Sequence, residues 1–167
     1  MWEDQFSRCV RNNDVLGALL VIPKIDINKT HMDISGHTPL SYCLSRNVEA
    51  LVSPLIMLGA DVNALDNNGY GPLHYVYWYP DSSVSLATTL LDAGAHVDME
   101  TKWGETSLHF AVWWDIPDLV RLYIDAGADW GLRNRNGQTP MEVAADGRSD
   151  QTRSILSSLG NKRERRC

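Results

Sequence analysis

Gly36-His37-Thr38-Pro39-Leu40 opens a phrase that the chain writes four times. It returns as Gly69-Tyr70-Gly71-Pro72-Leu73-His74, as Gly104-Glu105-Thr106-Ser107-Leu108-His109 and as Gly137-Gln138-Thr139-Pro140-Met141. The leading glycines stand 33, 35 and 33 residues apart. A second phrase recurs in phase between them: Gly59-Ala60-Asp61-Val62-Asn63, Gly94-Ala95-His96-Val97-Asp98 and Gly127-Ala128-Asp129-Trp130-Gly131. A weaker copy, Ile25-Asp26-Ile27-Asn28, lacks its glycine. Two phrases that recur together at one period mark a repeat architecture.

The residue types say what each repeat contains. Pro39, Pro72 and Pro140 suit the first position of a helix, where a missing amide hydrogen costs nothing. Thr38, Thr106 and Thr139 stand just before that position, as N-cap residues do. Gly59, Gly94 and Gly127 suit left-handed residues that close second helices. Between these signals apolar residues run at helical spacing: Leu51, Val52, Leu55 and Ile56, then Leu86, Leu90 and Leu91, then Leu119, Val120, Tyr123 and Ile124. A pair of such helices cannot bury its own apolar face, so stacking pairs produces one continuous core.

Both phrases resemble those of the ankyrin repeat, over about residues 5–160. The resemblance implies an all-α fold, a solenoid of stacked helix-turn-helix units with short β-turn fingers, in a single domain. Residues 5–30 are expected as an amino-terminal cap, with Phe6, Cys9, Val10, Val15, Leu16, Leu19 and Leu20 as its apolar stripe. Units follow at 33–65, 66–100 and 101–133, then a carboxy-terminal cap at 134–160. That cap's last helix, Asp150 to Leu159, carries Ser and Gln on its open side, and a basic tail follows at 161–167. Three departures stand out. The 66–100 unit has two extra residues, in Trp78-Tyr79-Pro80-Asp81-Ser82. Tyr77 takes a place where the family prefers alanine. Pro54 falls inside a second helix, which it should kink or shorten at a cost of about 3 kcal/mol.

Composition narrows the function classes. Fifteen basic residues against 21 acidic leave a net charge of −6, which disfavours nucleic acid as a partner. The longest apolar run, Val15 to Ile22, is too short for a membrane span. The start, Met1-Trp2-Glu3-Asp4, does not read as a secretory signal. Three scattered cysteines fit neither a disulfide framework nor a zinc site, and Cys43 reads as a packing thiol. A cytoplasmic protein is expected, with the nucleus as the alternative suggested by Lys162-Arg163-Glu164-Arg165-Arg166. Neither a metal nor a cofactor is expected, since no phosphate loop, nucleotide fingerprint or nucleophile motif is present.

Of fourteen aromatic residues, nine fall between Tyr70 and Trp114. Members of the family usually bind with residues that flank the finger glycine and residues between the two helices. Carried over, those places hold Ser35, His37, Asn68, Tyr70, Trp103, Glu105, Asn136 and Gln138 on the fingers. Between the helices they hold Ser45, Arg46, Trp78, Tyr79, Asp81, Trp113, Trp114, Asp115 and Asp146. Neighbours on a helix point about 100° apart, so Trp113 and Trp114 cannot both face one core. Several exposed tryptophans would form a patch that monomers avoid. Tyr75 and Phe110, one residue after the repeat histidine, are expected inside. The resemblance gives His74 and His109 a structural role, bonded to finger backbone.

Two functions follow from these places. The first is a binding module that holds a protein or peptide on an aromatic concave surface of Tyr70, Tyr77, Trp78, Tyr79, Trp103, Glu105, Trp113, Trp114 and Asp115. The second is a cofactor-free cyclase or isomerase acting on an apolar small molecule in an aromatic pocket. Its proton-moving candidates are Glu105, Asp115, Asp81, His37 and Tyr70. Self-association through the aromatic patch is a third outcome left open.

Overall fold

The computed structural model describes residues 2–30, 32–79, 83–144 and 150–164, with side chains described as far as residue 158. His31, Asp81, Asp146 and the end of the basic tail therefore lie outside the described residues. The helices are α1 (Trp2–Arg11), α2 (Val15–Val21), α3 (Pro39–Ser45), α4 (Val52–Met57), α5 (Ser83–Asp92), α6 (Ser107–Trp113), α7 (Pro117–Asp125), α8 (Pro140–Ala144) and α9 (Asp150–Glu164). Among the described residues there is no β-strand, and no helix is long and apolar enough to cross a membrane. The chain forms two compact units, residues 1–95 and 96–167.

The first unit begins with α1 and α2 packed together. Phe6 and Val10 on α1 are buried, as the sequence predicts. The stripe on α2 is not the expected one: Leu16, Leu19 and Leu20 are exposed, while Ala18, Val21 and Ile22 are buried. Asp14 caps α2 by accepting from the Gly17 amide at 2.9 Å, and the helix begins at Val15. At about 100° per residue, positions 18, 21 and 22 share one side and 16 and 20 the other, and it is the first of these sides that faces the core.

Next comes α3, with Pro39 first and Thr38 as its cap. The Thr38 hydroxyl accepts from the Ser41 amide, and the Ser41 hydroxyl accepts from the Thr38 amide at 2.8 Å. Leu40, Tyr42, Cys43 and Leu44 are all buried, so Cys43 packs as a small apolar residue. Pro54 does shorten its helix, but it does not sit in the interior. A 3-10 turn at Glu49–Leu51 precedes α4, which leaves Pro54 in the first turn, where no intrahelical donor is needed. The expected penalty of about 3 kcal/mol is thereby avoided.

Pro72–Trp78 is wound as a 3-10 helix through all seven residues, where an α-helix is expected. Its N-cap is Gly71, which has no side chain to fix an α-helical first turn as Thr38 does. His74 Nδ1 accepts the Gly71 amide instead, at 2.9 Å. The tighter winding advances about 120° per residue rather than 100°. This swings the last residues round, and Tyr79 turns inward to donate its hydroxyl to the Leu44 carbonyl at 2.5 Å. Leu86, Ala87 and Leu90 of α5 complete this unit's core.

The second unit buries Leu108, Ala111 and Val112 of α6, Leu119, Val120 and Tyr123 of α7, and Leu156 of α9. α9 runs to Glu164, past the expected end at Leu159. His109 has the structural role that the sequence implies. Its Nδ1 accepts from the Thr106 amide at 3.1 Å, and its Nε2 donates to the Gln138 carbonyl at 3.1 Å. Burial pushes its pKa down, which favours this neutral tautomer.

Two predictions concern this unit. Ser107 holds the position taken by proline in the other three phrases, and its buried hydroxyl has no hydrogen-bond partner. Thr106 before it is already extended, at φ −94° and ψ 167°, as a residue preceding proline must be. Ser107→Pro removes the orphan and stiffens the unfolded chain, so stability should rise by about 1 kcal/mol, or roughly 2–4 °C in Tm. A lower Tm contradicts this. Gly104 has φ +72°, and a Cβ there would lie 3.2 Å from Asn134 Cα and the Arg135 nitrogen. Gly104→Val should therefore cost about 2–3 kcal/mol in a urea melt.

Candidate functional site

Four finger turns share one device. A polar residue three places before each glycine accepts two backbone amides of its own turn, or an amide and a ring nitrogen. Asp66 Oδ1 takes the Asn68 and Tyr70 amides at 2.7 and 2.9 Å. Thr101 Oγ1 takes those of Trp103 and Glu105 at 3.2 and 3.3 Å. Asn134 Oδ1 takes those of Asn136 and Gln138, both at 3.0 Å. Asp33 takes the Ser35 amide through Oδ1 and the His37 Nδ1 through Oδ2. Neighbouring fingers are tied as well, by Asn67 N to Ser35 O at 2.9 Å and by Arg135 N to Trp103 O at 2.8 Å. The residues beside each glycine are thus held on a rigid turn.

In the first unit His37, expected among the finger residues that bind and as a proton-moving candidate, is buried. Its Nδ1 meets Asp33 at 2.8 Å and its Nε2 meets the Tyr75 hydroxyl at 2.8 Å. Tyr75 donates onward to Asp66 Oδ2 at 2.7 Å, a polar chain that links two fingers. Tyr75 is accordingly half-buried rather than fully inside. Burial and the Asp66 hydrogen bond push the Tyr75 phenol far up, so it stays protonated. Burial alone would raise Asp33, but the hydrogen bond and charge of His37 hold it below the ordinary carboxylate value.

The remaining aromatics of this unit divide. Tyr70 is half-exposed, with its ring 5.7 Å from that of Tyr75 and edge-on to His74 at 5.9 Å. Tyr77 is half-exposed against the Trp78 ring at 5.6 Å. Trp78 is 65% exposed. Tyr79, expected to face a partner, is buried and committed to Leu44. Sequence reasoning missed Ile34, which is almost fully exposed on its finger. Its signal was an apolar residue at a turn that has no core to fill.

In the second unit Trp103 and Trp113 are each 48% exposed and Trp114 is 56% exposed. Trp113 ends α6 and Trp114 caps it, so the helix's inward face is left to Leu108, Ala111 and Val112. Phe110 is half-buried, less deep than expected. Glu105 is half-buried on the far flank of Gly104, and burial pushes its carboxyl up. Asp115 is not a free acid on a rim. It sits at φ 51°, and its carboxylate accepts from the Thr152 amide and the Thr152 hydroxyl, both at 3.0 Å. It therefore caps the start of α9, with Thr152 fully buried.

The Asp33–His37 pair makes a pH prediction. A carboxyl whose folded pKa is depressed contributes stability above its unfolded pKa, about 4, and loses it as pH falls through the lower folded value. The urea midpoint should drop between pH 5 and pH 2, and Asp33→Asn should flatten that drop. An unchanged acid limb in Asp33→Asn contradicts the pairing.

Known proteins resemble the chain along most of its length. Residues 6–99 match the family described as ankyrin repeats (3 copies), and residues 90–144 match that described as ankyrin repeats (many copies). The B-cell lymphoma 3 protein homolog of Mus musculus is 30% identical over 131 residues, 78% of this chain and 28% of that protein. The B-cell lymphoma 3 protein of Homo sapiens is 31% identical, covering 84% of this chain and 29% of that protein. The E3 ubiquitin-protein ligase Ufd4 of Drosophila melanogaster is 28% identical across 89% of this chain but only 5% of its own length. The chain thus spans less than a third of each of these relatives.

Proposed function

Since the chain belongs to the ankyrin-repeat family, whose members are generally protein–protein interaction modules, we propose that it holds a protein or peptide partner on its exposed aromatic residues. Trp103, Trp113 and Trp114 with Glu105 are the contacts offered by residues 96–167, and Trp78 with Tyr70 and Tyr77 those offered by residues 1–95. One observation carries the reading: four indoles of this region are about half or more exposed, at finger and helix-end places that the core does not use. Indoles supply large, rigid contact area and dominate interface energetics. The cyclase or isomerase reading is weakened by the occupation of its candidate groups. His37 is held by Asp33 and Tyr75, and Asp115 by Thr152. The acidic charge balance and sparse cysteines fit a partner met in the cytoplasm or nucleus.

The test couples capture to melting. Proteins retained by the parent chain and by Trp113→Ala/Trp114→Ala are compared, and the retained partner is then titrated against Trp103→Ala. The expected loss is about 2 kcal/mol of binding, roughly 30-fold in Kd, with Tm almost unchanged. A loss of about 3–5 kcal/mol of stability instead would show that the indole serves the core. Equal binding by all variants would remove the aromatic residues from the interface.

A further inference from the structure

Asp33 and Asp66 hold the same place in the first two fingers, three residues before Gly36 and Gly69. Their side chains are 21% and 2% exposed. Among the described residues, no lysine or arginine pairs with either of them. A buried carboxylate needs a cation or a full set of donors. The side chain of basic type that reaches both is His37, with Nδ1 2.8 Å from Asp33 and Nε2 3.8 Å from Asp66.

The hydrogens between the two carboxylates can be counted. Asp66 Oδ1 accepts the Asn68 and Tyr70 amides, and Oδ2 accepts the Tyr75 hydroxyl at 2.7 Å. Tyr75 has then given its only hydrogen, so its 2.8 Å contact with His37 Nε2 is a bond only if Nε2 donates. On the other side of the ring Asp33 Oδ2, a carboxylate oxygen, can only accept, so Nδ1 donates as well. One rearrangement keeps all three bonds with a neutral ring: a hydrogen passed through Tyr75 onto Asp66. Ordinary acidities of histidine and aspartate disfavour it by about 400-fold, and the two amides on Asp66 Oδ1 disfavour it further. The three bonds in a row therefore require an imidazolium.

We propose that His37 is a proton-dependent latch between the first two fingers. While both ring nitrogens carry hydrogen, the chain Asp33–His37–Tyr75–Asp66 is closed. When the ring gives up the Nε2 hydrogen to water, Tyr75 has one hydrogen for two acceptors and must leave either Asp66 or Nε2. Rising pH therefore opens the latch, and falling pH closes it until the carboxylates themselves take protons. The other groups near this chain are Tyr42 of α3, ring to ring with His37 at 6.1 Å, the Arg46 guanidinium 5.3 Å from the Tyr42 ring, Tyr70 beside Tyr75, and His74 beside Tyr70. The second unit has no counterpart. The same four places, 68 residues later, hold Thr101, Glu105, Val143 and Asn134, so the Arg135 amide joins its fingers with no chain of ionisable groups.

Nitrogen NMR of the histidine rings, read beside amide exchange in a pH series, tests this. Asp66→Asn keeps an oxygen for the Asn68 and Tyr70 amides, as Asn134 supplies one in the fourth finger. It turns a donor toward Tyr75, whose hydrogen then passes to Nε2. His37 should give up its second ring hydrogen at a pH about one unit or more below that of the parent chain, a tenfold change in proton affinity. Tyr75→Phe leaves both carboxylates in place and should shift His37 the same way, which covers a failure of Asp66→Asn to fold. In the parent chain the Asn67 amide is bonded to the Ser35 carbonyl at 2.9 Å. Its protection, corrected for the intrinsic pH dependence of exchange, should fall about tenfold as His37 loses that hydrogen. The Arg135 amide, bonded to the Trp103 carbonyl, should keep its protection. An unchanged His37 titration in the folded variants overturns the proposal. So does a parent ring that never carries both hydrogens while folded, or Asn67 protection indifferent to the state of His37.

Discussion

An oxygen atom that accepts two backbone amides within its own turn fixes this structure repeat by repeat. Asp66, Thr101 and Asn134 each do so, and Asp33 shares the role with its second oxygen on His37. A finger turn projects from the helices, so its amides have no ladder to join. Without a side-chain acceptor they would be left to water, and the turn would fray. With one, the turn is rigid enough for its neighbour to bond it, as Arg135 bonds Trp103 and Asn67 bonds Ser35. Within residues 1–95 and again within residues 96–167, adjacent repeats are in this way tied finger to finger.

The same economy frees the positions of the proposed partner surface. Finger amides are satisfied by short polar residues. Helix starts are satisfied by Thr38 with Ser41, Thr106 with His109, and Thr139 with Glu142. Helix interiors are filled by aliphatic residues. Beside Gly36 that scheme uses His37, but the finger and helix-end bonds described beside Gly104 and at the end of α6 run through Thr101, Thr106 and His109 and not through an indole. Trp103, Trp113 and Trp114 stand at such places with about half of their area in water, which is what supports the proposal of a partner surface there. Asp115 shows how the scaffold backs such a place. It turns the chain immediately after Trp114 and pins α9 through Thr152, so the tryptophan pair stands on a fixed corner.

Much of the fold was legible because its punctuation is chemical. Pro39 and Pro140 could only begin helices, and Gly104 could only sit at positive φ, where it is found. The misses share a cause: a neighbour not visible in the local pattern decided the outcome. Leu16 and Leu20 read as a core stripe, but the opposite side of α2, with Ala18, Val21 and Ile22, is the one that faces the core. Tyr79 read as a partner contact because it stands between the helices, where members of the family bind, whereas it is buried with its hydroxyl on the Leu44 carbonyl. His37 read as a residue open to a ligand because its partner, Tyr75, lies 38 residues away. The finger acceptors could have been found, since Asp33, Asp66, Thr101 and Asn134 each precede a repeat glycine by three. Trp103, Trp113 and Trp114 were readable as exposed, because the repeat pattern has no core place for them.

Amide hydrogen exchange at the fingers tests the governing constraint directly. The amides of Asn68, Tyr70, Trp103, Glu105, Asn136 and Gln138 are the ones bonded to the three acceptors that each take two. They should be protected by several orders of magnitude over an unstructured chain, opening with their repeat rather than alone. In Thr101→Ala the amides of Trp103 and Glu105 should lose that protection, while the α6 and α7 amides keep theirs. Finger amides that exchange at unstructured-chain rates in the parent protein, beside fully protected helices, would contradict the account.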